Sequence, residues 1–107
     1  MIIDEITAAL SYPVKETRFL RPPNTTYGVY TQSRSYRGCD CTLRLCDSDI
    51  TLYLVQYAPD AAAEKELEKI LRERGIEYTK QARTWIESDK FYQTIYDFQI
   101  VEKIKEE

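Results

Sequence analysis

No histidine occurs anywhere in the 107 residues. The commonest general base is therefore missing, and with it every Ser-His or Cys-His nucleophile pair and every His-based metal site. Glycine is scarce. Gly28, Gly38 and Gly75 stand alone, so no Gly-rich loop is there to cradle a phosphate. No apolar run approaches the roughly 20 residues that a membrane-spanning helix needs. The N-terminus, Met1-Ile2-Ile3-Asp4-Glu5, lacks the basic and apolar regions of a signal peptide, and the chain is expected to stay in the cytosol. There is no internal repeat and no low-complexity tract.

Cysteine is also sparse. Three residues, Cys39, Cys41 and Cys46, form the only cluster that could carry chemistry. An odd number suits reduced thiols better than a disulfide framework. Zinc favours four tetrahedral ligands, and a Cys-x-Cys with one further Cys supplies three, so Asp40 or Asp47 would have to complete the set. A redox pair is the other chemical alternative, because a Cys-x-Cys in a strand points both thiols to one face. Ordinary reduced cysteines are the simplest account, and no metal or cofactor is expected. Carboxylates concentrate on a helix at 60–74 and in the tail, where a solvated face explains them better than an acid–base pair. No enzyme activity is expected.

Aromatic side chains, by contrast, are plentiful: nine Tyr, three Phe and one Trp. They carry much of a core's buried area, and tyrosine suits protein interfaces. The length favours a single domain, 1–107. Net charge is −3, from fifteen basic and eighteen acidic residues, which argues against nucleic acid as the main partner. The charge is unevenly spread. Between positions 15 and 44, Lys15, Arg18, Arg21, Arg34, Arg37 and Arg44 face only Glu16 and Asp40. The stretch is either a solvated face or a basic surface that meets an acidic neighbour.

Ile2, Ile3, Ile6 and Leu10 recur at helical spacing and predict a short helix over 2–10, ended by Ser11-Tyr12-Pro13. Val14–Leu20 predicts a first strand, Arg21–Asn24 a stiff turn, and Tyr27–Thr31 a second strand. Positions 32–41 are polar and basic and predict an exposed loop or hairpin arm. In 42–57, Leu43 and Leu45 share one phase and Ile50, Leu52 and Leu54 the other, which predicts a bulge or tight turn at Asp47–Asp49. The clearest element is a helix from about Asp60 to Arg74. Its apolar stripe is Ala63, Leu67, Ile70, Leu71 and Arg74, with Asp60 as cap and Gly75 as its left-handed stop. Strands at about 76–86 and 91–101 follow, joined at Glu87–Lys90, and then a charged tail that frays. Tyr92, Tyr96, Phe98 and Ile100 alternate onto one face of the last strand, as a core face does; a stacking platform for single-stranded nucleic acid is the alternative. The fold class is α+β: an antiparallel-rich sheet, a short N-terminal helix, one longer helix packed on one face, and a closing β-hairpin. Part of the opposite face is left for partners.

Four blocks resemble a known family. They are Leu10-Ser11-Tyr12-Pro13-Val14; Pro22-Pro23 followed by Tyr27-Gly28-Val29-Tyr30; Asp49-Ile50-Thr51-Leu52-Tyr53 leading to Glu64, Glu66 and Leu67; and Gly75-Ile76 with Tyr78, then Trp85 through Tyr96. Together they are similar to the tail-terminator, tail-completion or head-tail joining proteins of siphophages and prophages of Gram-positive bacteria. The segment 33–47 stands where that family carries an Asp-Asn-Lys-rich hairpin. The resemblance implies a non-enzymatic ring subunit, often a hexamer, at the head-proximal end of the tail tube. Its partners would be copies of itself, tail-tube proteins and head-connector proteins. It would reside in the bacterial host cytoplasm during assembly and in the virion afterwards. Ring assembly would run through the basic segment 32–44, with Arg34, Tyr36, Arg37 and Arg44 as contact residues. A small cytosolic adaptor that binds one protein partner is the alternative.

Overall fold

The N-terminal apolar stripe folds as its spacing predicts. In the computed structural model, which describes residues 2–19, 21, 23, 25–38, 43–58 and 61–105, helix α1 spans Ile2–Ala9 and buries Ile3 and Ile6, with Leu10 just beyond its end. Strand β1 is only Val14–Glu16, shorter than the predicted 14–20. The cause is local. Thr17 takes φ 70°, and the Arg18 amide donates to the Glu16 carbonyl at 2.8 Å, a tight γ-turn that carries the chain out of the sheet.

Two long strands follow, β2 over Tyr27–Gly38 and β3 over Leu43–Gln56. Residues 32–38 are thus a strand of a hairpin arm, paired rung by rung with β3, and not a loop. The predicted break at Asp47–Asp49 does not exist either, since the β2–β3 register runs unbroken from Tyr27↔Val55 to Gly38↔Arg44. Cys46 and Ser48, both fully buried, carry the inward phase of Ile50, Leu52 and Leu54 onward. Small side chains hold those positions, and Leu45 takes the other phase.

Helix α2, Ala61–Glu73, buries Ala63, Glu64, Leu67 and Leu71. Ile70 is only partly buried at the edge of this stripe, and Arg74 is exposed. The predicted cap, Asp60, lies outside the described residues. The C-terminal stop is as expected. Gly75 takes φ +70°, its amide donates to Arg72 at 3.0 Å, and Ile76 donates to Leu71 at 2.9 Å, which satisfies two of the helix's last carbonyls.

The predicted strand 76–86 is divided into β4 (Tyr78–Lys80) and β5 (Thr84–Ile86), both paired with β6 (Phe91–Lys105). Gln81 still pairs with Ile95, whereas Thr84 pairs with Gln93, so Ala82 and Arg83 stand together opposite Thr94. This bulge turns Arg83 toward the helices. β6 does not fray at 101. It stays paired with β3 as far as Leu43↔Lys105, because β3 itself extends to meet it.

The sheet order is β1-β2-β3-β6-β4, with β5 also on β6. Every pairing is antiparallel except β1–β2. Both helices lie on one face, where Ile3, Ile6, Leu67 and Leu71 join Ile50, Leu52, Leu54, Tyr96, Phe98 and Ile100 in one buried cluster. Each fully buried leucine contributes roughly 1.5–3 kcal/mol of apolar transfer.

Candidate protein-interaction surface

A polar clamp positions the part of the sheet next to the surface. Glu64 and Glu68 lie one turn apart on α2. Lys80 reaches Glu64 at 3.0 Å and Glu68 at 3.2 Å, and Arg83 pairs with Glu64. The Tyr78 and Tyr96 hydroxyls both donate to Glu68, at 3.1 and 3.0 Å. The Glu64 side chain is only 6% exposed. Burial alone would raise its carboxyl, but hydrogen bonds from Arg83 and Lys80 outweigh that and hold it below the ordinary value. Burial and the nearby Glu68 carboxylate push the Tyr96 phenol far up, so it remains a donor. The helix acids are therefore not all a solvated face. Glu64 is a buried anchor, and its partners sit at the end of β4 and on the bulge that follows it, which the helical periodicity could not reveal. Two further contacts tie α1 to α2: Ser11 donates to Glu66 through its amide and hydroxyl, each at 2.7 Å, and Arg74 reaches Glu5 at 3.3 Å.

The predicted contact residues gather on one arm. It is built from the far ends of β2, β3 and β6, where Gln32–Gly38 pairs with Arg44–Ile50, and Leu43–Ile50 pairs with Phe98–Lys105. Arg34 stands opposite Ser48 and Tyr36 opposite Cys46, so both belong to the face that carries the helices. Tyr36 is 54% exposed, the most of any large apolar side chain among those described. Arg37 pairs with Leu45 and Arg44 with Gly38, which brings all four positions within one stretch of ladder. Cys39 and Cys41 lie outside the described residues. Cys46 is buried, with its thiol 3.8 Å from the Ser48 hydroxyl.

Periodicity could not show that, among the described residues, no strand covers either edge of this arm. β1 covers β2 only from Gly28 to Tyr30, and β4 covers β6 only from Tyr96 to Phe98. The Gly28 amide donates to Pro13 and the Tyr30 carbonyl accepts from Thr17, so the even-numbered residues of β2 aim their backbone groups at that edge. Gln81 donates to Ile95, so the odd-numbered residues of β6 aim theirs at the opposite edge. By alternation, Gln32, Arg34 and Tyr36 on one side, and Gln99 and Val101 on the other, present backbone donors and acceptors outward.

The helix-free face changes character along its length. At one end Phe19 packs edge-on to Tyr27 at 5.2 Å, and Tyr57 to Phe91 at 6.3 Å. Toward the arm it becomes polar, with Thr51 donating to Asp97 at 2.7 Å and Gln99 to Asp49 at 3.2 Å. Among the described residues, no helix is long and apolar enough to cross a membrane, and no three His, Cys, Asp or Glu side chains gather as a metal-binding group.

No protein-family model matches the chain, and no curated protein matches it. Its fold is similar to a solved chain described as part of the virion of a native gene transfer agent (GTA) particle. The TM-score is 0.55 at 12% identity, over 94% of this chain and 84% of that one.

Proposed function

We propose that this chain is a non-enzymatic structural subunit of a phage-like particle, a tail-terminator or tail-completion ring subunit at the head-tail junction. The observation that carries the reading is the likeness of fold, over 94% of the chain, to a chain from a virion of a gene transfer agent. The four sequence blocks that resemble the tail-terminator family point the same way. A ring subunit needs two different, complementary patches, because a heterologous contact closes only when one meets the other. The arm with Arg34, Tyr36, Arg37 and Arg44 supplies one, and charge sets register and on-rate as it meets an acidic surface of the next copy. A hexamer would then sit between tail-tube proteins on one side and head-connector proteins on the other. It would assemble in the host cytoplasm and remain in the virion. Replacing Arg34, Tyr36 and Arg37 together by Ser tests this reading by sedimentation at high concentration. A folded variant with lost association supports it. A folded variant that associates like the wild type contradicts the role of the arm.

A further inference from the structure

We propose that the bare edge of β6, from Gln99 to Lys105, receives the bare edge of β2 from a second copy of this chain, so that one sheet runs on across the subunit boundary. This rests on the ring reading above and names the contact that would build the ring.

Three observations carry it. First, the two edges match. β2 and β6 are each antiparallel to β3, hence parallel to one another. Among the described residues both are uncovered at the same end of the molecule, since β1 stops on Tyr30 and β4 begins on Phe98. A neighbour rotated about an axis along the arm therefore brings its β2 alongside β6 in parallel, in line with β4. The two edges lie on opposite sides of the arm, so the contact is heterologous and repeats from copy to copy.

Second, there is room. An open groove of about 1240 Å³ lies where the chain approaches β4, bounded by Ile76, Glu77, Asp97, Gln99 and Val101, with Asp49 beside them. Val101 is 49% exposed there. Such a groove beside unpaired backbone is what strand addition uses: main-chain hydrogen bonds hold the incoming strand and the flanking side chains select it.

Third, the charges are complementary at the groove end of the edge, whereas Lys103 and Lys105 stand farther along the receiving stretch. Among the described residues the groove is lined by Asp49, Glu77 and Asp97 and by one cation, Arg74, which is paired with Glu5. The incoming stretch 32–38 contains Arg34 and Arg37 and no acid.

The test uses the outward amide of Val101. In Val101→Pro that donor is removed while the β3 ladder, made by the even-numbered residues of β6, is left alone, and proline is tolerated on an edge strand. Self-association should weaken by about tenfold, the loss of one ladder hydrogen bond at each contact, with the circular dichroism of the monomer unchanged. Val101→Ala, which keeps the amide but trims a wall of the groove, should lose clearly less association than Val101→Pro. Hydrogen exchange of the wild type gives an answer even if the proline variant does not fold. In concentrated protein the amides of Gln99 and Val101 should exchange more slowly than in dilute protein. If the wild type associates and those amides exchange at the same rate in both, strand pairing is wrong and the ring reading stands. If the wild type never associates, both are wrong.

Discussion

Lys80 Nζ lies 3.0 Å from Glu64 Oε1, which places a strand cation on a helix carboxylate that is almost wholly buried. With Arg83 on the other oxygen, Glu64 fastens α2 to the bulge between β4 and β5. Because each cation covers for the other, loss of one should cost only about 1–2 kcal/mol, discounted for partial exposure of the pair. Lys80→Ala with Arg83→Ala leaves a buried charge unpaired and should cost about 3–5 kcal/mol. Urea denaturation of the two single variants and the double variant would measure this non-additivity.

The same carboxylate gives a pH signature. Its folded-state pKa lies below the ordinary 4.5, so its contribution to stability is fully present above that value and is lost as pH falls through the folded pKa. Glu64→Gln should be less stable at neutral pH and should show a flatter loss of stability below pH 4.5. Identical acid profiles for the two proteins would remove Glu64 from the account.

Leu67 is fully buried between α2 and the sheet. Leu67→Ala should cost roughly 2–5 kcal/mol, as truncated core leucines do. Ile70→Ala should cost less, because Ile70 is only partly buried. Midpoints of chemical denaturation rank the two.

Thr17 holds a positive φ of 70° that a β-branched residue tolerates poorly. Thr17→Gly should therefore raise stability by about 1 kcal/mol, read as a higher thermal midpoint. An unchanged or lowered midpoint would show that the γ-turn carries no strain.

Purified protein should contain less than one zinc per chain, and chelator should leave its melting unchanged. Stoichiometric zinc together with chelator-induced unfolding would restore Cys39, Cys41 and Cys46 as a metal centre.

Much of the fold was legible because its signals are periodic. The stripe through Ala63, Leu67 and Leu71, the glycine after it, and the alternation from Tyr96 to Ile100 each encode an element and the face it buries. The arm was harder to see. Cys46 and Ser48 are small enough to occupy inward positions without looking apolar, so the break expected at Asp47–Asp49 was a change of side-chain type and not of strand phase. The extension of β6 to Lys105 depends on β3 being long enough to pair with it, a relation between distant segments that local composition does not carry. Arg34 and Tyr36 could be singled out by charge and aromatic character alone. The bare edges beside them follow only from where β1 stops and β4 begins.

The most direct test of the central claim is electron microscopy of particles assembled with and without this chain. Tails of uncontrolled, excess length in its absence, restored to normal by the wild-type protein, are the predicted result. Particles of normal length and intact head-tail junctions in its absence would contradict a terminator role.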